Sequence, residues 1–351
     1  MIKGHCDDRF LQLKEILDNQ LKSNFELGAS VAVEWQGKEV VNLYGGFTDE
    51  TKKFEWNKNT IVNTFSVTKA ISGICISKLI DMNLLDVNKN VSFYWPEYGC
   101  NGKEKTKVID FLTHRAGMFG FQDGIPDATW NDWDIYVKEL EKQKPFIEPG
   151  TSQGYHAVTF AWLIGELLKK IDGRTIGKFF KEEIAEPFNI DFYIGLNKEQ
   201  QDRCASITSF TRLDSIKPPI DFIQFVPNFL LNEQLINLKE SLKSKDFLKA
   251  FMPEPFLERG PNSEDFRTAE LPAGNGHGTA SGLAKLFGIL SNGGSRDGKE
   301  IISESTLNNA IKVHSSGPDT VLFGVKLNFG YCFMLEGNKK TNINFAPIFY
   351  K

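Results

Sequence analysis

The sequence predicts an α/β fold of the α+β sandwich kind: an antiparallel sheet formed by N- and C-terminal segments, packed with helices, plus an inserted helical subdomain. Three observations carry this. β-rich runs lie near both ends, at Gly28–Trp35 and Glu39–Tyr44 and again at Asn328–Glu336. Helical apolar periodicity fills the middle, most strongly from Ala157 to Lys170. No internal repeat or low-complexity tract divides the 351 residues, so one domain is expected, its α/β part at about 1–80 and 270–351 and its mainly helical part at about 81–269.

Arg9 to Leu21 reads as an amphipathic helix, with Phe10, Leu13, Leu17 and Leu21 on one stripe. The two runs that follow flank Gln36-Gly37-Lys38, a hairpin pattern. A helix opens near Ser66 and stops near Asn83. Thr64 is its expected N-cap, and Ile71, Ile74, Cys75 and Leu79 recur at helical spacing, which turns Lys78 and Asp81 outward. Leu84 to Glu97 is expected to be a loop with a short helix, and Lys107 to Gly117 a short helix closed by its glycine. Trp130–Lys142, Ala157–Lys170 and Arg174–Ala185 are further helices, the second ended by Asp172-Gly173 and the third followed by Pro187. Pro145 to Gly154 is a loop that turns at Pro149-Gly150. Residues 198–270 are polar and broken by prolines, which predicts long loops and short helices. Gly278–Asn292 is a helix with Thr279 as N-cap and Gly293-Gly294 as its stop, and Ser303–Val313 is another.

Composition excludes several functions. A net charge of −4 and the lack of any dense Lys/Arg run argue against a nucleic-acid partner. The five cysteines are odd in number, widely spaced and free of Cys-x-x-Cys, which argues against a disulfide framework or a zinc site and for a reducing, cytoplasmic setting. The first residues lack the apolar core of a signal peptide, and no run of about 18 apolar residues predicts a membrane span.

Two stretches carry chemistry. The first is Thr64 to Gly73, which contains Ser66-Val67-Thr68-Lys69. On a helix, positions three apart share a face, so an amine stands beside a hydroxyl. A hydroxyl becomes a nucleophile when a neighbouring base takes its proton, and a lysine in a dry pocket loses enough basicity at its ammonium to serve. Roughly one Ser-x-x-Lys arises by chance in a chain of this length; only one is present. The second stretch, Glu148 to Thr159, delivers Tyr155 from a Pro-Gly loop just before a strong helix. A phenol placed there can shuttle protons; the alternative is a core tyrosine with its hydroxyl capped.

Phe65-Ser66-Val67-Thr68-Lys69, Leu112-Thr113-His114-Arg115-Ala116-Gly117, Glu148-Pro149-Gly150-Thr151 and Gly154-Tyr155-His156-Ala157 occur in an order and at separations that resemble the serine β-lactamase and penicillin-binding protein superfamily. The likeness is to its class C-like, esterase and eukaryotic β-lactamase-like branch, and Asn275 to Ala280 is similar to a segment of the eukaryotic-type members. It runs from about residue 25 to about 345. The resemblance implies a β-lactamase/transpeptidase-like fold in which Ser66 is acylated. Lys69 and Tyr155 manage its proton, with a Tyr155 phenolate stabilised by nearby positive charge, and the Ser66 N–H is one oxyanion donor. It implies no metal or organic cofactor.

The sequence departs from the family pattern twice. Tyr155-His156-Ala157 stands where Tyr-x-Asn is usual, which favours an ester or peptide-like amide over a β-lactam. The third motif, Lys-Thr-Gly or an equivalent on a strand near the C-terminus, is not found: Tyr331 to Glu336 resembles the strand before it and Asn344 to Pro347 the approach to it. This reading expects a C-terminus cut short, with the strand's place empty or imperfectly filled by Asn342–Tyr350, and a wider, wetter site. The expected function is acyl transfer through Ser66 from a small-molecule or peptide-like carbonyl substrate. The alternative is a catalytically inactive binding or assembly module, whose unpaired sheet edge invites a homo-oligomer. His114 reads as a structural turn, His156 as packing at a helix start, and His277 as a structural hydrogen-bonding group. Trp130 and Trp133 read first as core aromatics and second as pocket walls.

Overall fold

The computed structural model of the chain describes residues 2–125, 128–208, 259–322 and 324–335, with the single positions 227 and 239. Lys3–Cys6 (β1) and Gly28–Trp35 (β2) flank Lys38–Gly46 (β3) in an antiparallel sheet. The hairpin is the expected one. β1 is an addition, pairing Lys3 with Tyr44 and Cys6 with Val41; its short Lys-Gly-His-Cys sequence has no apolar alternation to announce it. Leu11–Lys22 (α1) covers one side of the sheet, where Leu17 packs with Val41 and Leu43.

After Val62–Asn63 (β4) the chain enters Val67–Asp81 (α2). Ile71, Ile74, Cys75, Ile76 and Leu79 are buried, and so are Thr68, Ser72, Gly73 and Ser77 between them. A helix apolar or small on every side belongs inside a core rather than on its surface. Gly73 is required there: a Cβ would lie 2.7 Å from the Tyr331 carbonyl oxygen and 2.9 Å from the Cys332 Cβ. The N-cap is Ser66, not Thr64, because Thr64 turns its hydroxyl to the Gly276 carbonyl and Phe65 reverses the chain.

Around α2 stand Val108–Leu112 (α3), Trp133–Lys142 (α4), Phe160–Asp172 (α5) and Ile176–Phe180 (α6). α3 is closed by His114, whose φ of 58° is left-handed, before the chain reaches Gly117. α4 and α5 each begin three residues later than periodicity suggests. For α5 the reason is visible: Ala157 gives its carbonyl to Lys69, and Thr159 is the N-cap. A π-helical turn, Lys181–Ala185, leads from α6 into Glu186–Phe188 (α7). Phe192–Ile194 (β5) and Gly276–Gly278 (β6) join β4 in a small sheet ordered β4-β6-β5. Lys198–Gln201 (α8) and Glu264–Thr268 (α9) lie at the edges of residues 198–270, most of which fall outside the described residues.

Ala280–Ser291 (α10), capped by Thr279 as expected, packs on β2 and contributes Leu286, Ile289 and Leu290 to the core. Ser295–Arg296 (β7) and Lys299–Glu300 (β8) form a hairpin, and Glu304–Ala310 (α11) packs on α2. Ser315–Pro318 (β9), Lys326–Phe329 (β10) and Met334–Leu335 (β11) make a third antiparallel sheet. The single strand expected over Asn328–Glu336 is therefore two strands, separated by a turn in which Cys332 takes a φ of 64°.

The mixed helix and antiparallel-sheet class is as expected. The sheet shared by both chain ends is not formed by the described residues: β1 to β3 pair only with one another, and the two parts meet through α10 on β2 and the Arg296–Glu34 ion pair. The expected contribution of Asn342–Tyr350 lies outside the described residues. Among the described residues no helix is long and apolar enough to cross a membrane.

Candidate active site

The approach to α2 fixes the serine. The Asn63 side chain accepts the Phe65 N–H at 2.5 Å, and the Thr68 hydroxyl donates to the Phe65 carbonyl at 2.5 Å while accepting the Gly276 N–H at 2.9 Å. Phe65 is held at a φ of 45°, a left-handed conformation that costs a non-glycine residue about 1–3 kcal/mol. This reversal sets Ser66 at the exposed mouth of an otherwise buried helix. Ser66 makes no side-chain capping bond, so its hydroxyl is left to other partners.

Lys69 is one turn on and only 3% exposed. Its Nζ donates to the carbonyls of Ala157 at 2.8 Å and Ala273 at 2.7 Å and lies 3.3 Å from the Ser66 Oγ. Burial lowers its pKa from 10.5 to about 7, against a smaller opposite effect of Cys332. A neutral amine has two N–H groups and one lone pair. In that form, giving both N–H groups to the two carbonyls leaves the lone pair for the Ser66 hydroxyl.

Tyr155 arrives from the loop before α5. Gly154 hands its N–H to the His114 carbonyl at 2.9 Å and leaves no room for a side chain, since a Cβ would lie 2.5 Å from the Thr320 Oγ1. The phenol is hydrogen-bonded to the Ser66 side chain, and Lys69 Nζ stands 4.9 Å from the ring centroid. Ser66, Lys69 and Tyr155 are thus brought together. Burial pushes the phenol up to about 12; the bond to Ser66 opposes this and the Asp319 charge adds to it. Burial thus works against the phenolate implied by the family resemblance.

Asp319 was not singled out in the sequence. It is fully buried, and its Oδ1 accepts the backbone N–H groups of Tyr155 (3.0 Å), Val321 (2.9 Å) and Leu322 (2.8 Å). It ties the tyrosine loop to the turn between β9 and β10. The only sequence signal is a Pro-Asp-Thr turn pattern. The histidines are structural in placement. His114 Nδ1 accepts the His156 N–H at 3.1 Å and its ring packs on Tyr155, with centroids 4.8 Å apart. His156 Nε2 accepts the Met118 N–H at 3.0 Å, and burial lowers its pKa to about 3. His277, on β6, pairs through Nδ1 with the Asn275 carbonyl, and burial lowers it to about 4.

Beside Ser66 lies a cavity of about 150 Å³, walled by Phe65, Trp130, Val158, Phe266 and Leu271. Trp130 thus answers to both readings, being a buried core aromatic and a cavity wall. Ala273 and Gly274 also line the cavity, and their segment is fastened to α2 by Ser72 on the Pro272 carbonyl and Lys69 on that of Ala273. Among the described residues lining the cavity, none has an ionisable side chain.

A serine at the head of a buried helix, a lysine one turn on and mixed helices and antiparallel strands around them define the class of serine β-lactamases and penicillin-binding proteins. The chain belongs to the Beta-lactamase family, whose family model matches residues 13–346. The Mycobacterium tuberculosis protein named Esterase/beta-lactamase LipL is 30% identical over 341 residues, which is 95% of this chain and 75% of LipL. Among solved structures, a penicillin-binding protein homologue from Caulobacter crescentus superposes with a TM-score of 0.81 at 31% identity, covering 99% of this chain and 85% of that one. A family VIII carboxylesterase gives 0.76 at 30% identity, covering 96% and 84%.

Proposed function

We propose that the protein is a serine esterase that works through an acyl-Ser66 intermediate. The observation that carries this is the buried Lys69 amine, lowered to about 7 and placed 3.3 Å from the Ser66 Oγ. In the first step Ser66 Oγ attacks the ester carbonyl and its proton passes to the neutral Lys69 amine. The backbone N–H of Ser66 faces the developing oxyanion. As the tetrahedral intermediate collapses, the departing alkoxide takes a proton from the Lys69 ammonium, relayed by the Tyr155 phenol. Water then attacks the acyl group by the reverse proton route and frees Ser66.

The cavity favours an ester with a compact apolar acyl or alkoxy group, because apolar side chains wall it and none of the described lining residues carries a charge to meet a substrate carboxylate. Its volume suits a group about the size of benzene. LipL and the carboxylesterase carry esterase names, which supports the same reading. The test is labelling with a fluorophosphonate probe and turnover of p-nitrophenyl butyrate, each compared with Ser66→Ala. Both signals are expected to vanish in the variant. Labelling that persists unchanged in Ser66→Ala refutes the nucleophile, and absence of labelling and turnover in the parent protein favours the binding-module reading instead.

A further inference from the structure

A second cavity, about 270 Å³, shares Trp130 with the Ser66 cavity, but neither Ser66 nor Tyr155 lines it. Its other walls are the Trp133 indole, the start of α6 at Thr175 and Ile176, and Glu270. Trp133 is built in: its Nε1–H donates to the buried Glu166 carboxylate at 2.7 Å, and Gly165 lets it lie against α5, since a Cβ there would come 2.4 Å from the ring.

The polar atoms of this cavity are unbalanced. Its neutral donors are spent on protein acceptors. Trp130 Nε1–H goes to the Arg259 carbonyl at 2.8 Å, the Thr175 hydroxyl to Glu270 at 2.9 Å and the Thr268 hydroxyl to the Asp265 carbonyl at 3.2 Å. The Asn131 amide donates to the Asp265 carboxylate at 2.8 Å and to Thr268 at 3.1 Å. The half-exposed Lys169 faces Glu166 at 3.9 Å. Lys169 also lines the cavity, but its charge is balanced by Glu166, so among the described walls the charge left without a counter-ion is that of Glu270, beside acceptors and aromatic surface. Glu270 accepts one bond at each oxygen, from Thr175 and from the Gly177 N–H at 2.8 Å, and has no cationic side chain within 4.0 Å among the described residues. Burial raises its pKa, as it must for a carboxylate lacking a counter-charge.

We propose that this cavity binds a small organic cation, a protonated primary amine on a compact apolar body. The ammonium supplies the donors and the charge that Glu270 lacks, and the indoles take the apolar body and the cation's field. An anion meets Glu270 unfavourably, and a neutral apolar molecule leaves its carboxylate further desolvated without a counter-charge.

The experiment is calorimetric titration with 2-phenylethylammonium chloride, and with 2-phenylethanol as the uncharged isostere. The amine is expected to bind about tenfold or more tightly than the alcohol, and Glu270→Gln to remove most of that preference. Because Glu270 also holds the start of α6, Trp133→Leu is the second variant; it leaves the carboxylate in place and is expected to weaken the amine about threefold. Neither residue lines the Ser66 cavity, so these losses assign the amine to the second one. Equal affinity for amine and alcohol overturns the proposal. So does absence of saturable amine binding, or an affinity unchanged in both variants.

Discussion

Replacing Lys69 by methionine separates the energetic cost of the base from its chemical use. The gap between 10.5 and about 7 corresponds to about 5 kcal/mol of penalty for burying the ammonium, fully present below pH 7. Methionine removes that penalty, fills a similar volume, and leaves the Ala157 and Ala273 carbonyls without their donor, at about 1–3 kcal/mol each. At pH 6 these effects nearly cancel, and the variant is expected within about 2 kcal/mol of the parent. Between about 7 and 10.5 the unfolded chain holds the lysine proton more readily than the native protein does, so the parent's stability rises with pH there. From pH 6 to pH 9 the parent gains about 2.5 kcal/mol that the variant lacks. Urea denaturation of both proteins at the two pH values, followed by far-ultraviolet circular dichroism, measures the difference. In the same preparations, ester turnover is expected to fall about 10²–10⁴-fold in the variant, and the parent's kcat/KM to rise with pH through about 7. Parallel stability curves for the two proteins, with a parent activity profile flat across pH 6 to 9, refute a lysine neutralised by burial.

Tyr155→Phe removes the proton relay but leaves Lys69 as the base, so kcat is expected to fall about 10²–10⁴-fold while the rise in activity stays near pH 7; a pH–rate profile of the variant checks both. Asp319→Ala strands three backbone N–H groups, two of them buried, and is expected to destabilise the fold by about 3 kcal/mol or more, whereas Asp319→Asn keeps an acceptor oxygen and is expected to lose less than half as much. Chemical denaturation of the two variants measures that ratio.

What the sequence made legible is what short-range patterns encode. α1, α5 and α10 follow from apolar residues spaced by one helical turn, and the β2–β3 hairpin from two β-rich runs around a glycine. Ser66 and Lys69 meet because three residues make nearly a turn. β1 escaped because its Lys-Gly-His-Cys stretch is stabilised by pairing with β3, not by its own alternation. The N-cap moved from Thr64 to Ser66 because Phe65 adopts a left-handed conformation that depends on Asn63 and Thr68. Asp319 was invisible because its partners are backbone N–H groups, one of them in a loop far away in the chain. The raised pKa of Tyr155 was hidden for a related reason: it comes from burial and the Asp319 charge, which no local pattern records.

The two carbonyls that grip Lys69 come from positions 88 and 204 residues further along the chain. In an unfolded or partly synthesised chain those carbonyls are far away and the amine sits in water, where its pKa is 10.5 and only about one lysine in three thousand is neutral at pH 7. Ser66 is then an ordinary alcohol. On the proposed mechanism, the activation of Ser66 awaits the long-range closures that complete the core, which are the slow events of folding for contacts this distant in sequence. A chain that has not finished folding carries the whole Ser-x-x-Lys motif without the buried amine, so under the proposed function acyl groups in its surroundings meet an activated Ser66 only once the fold around it has closed.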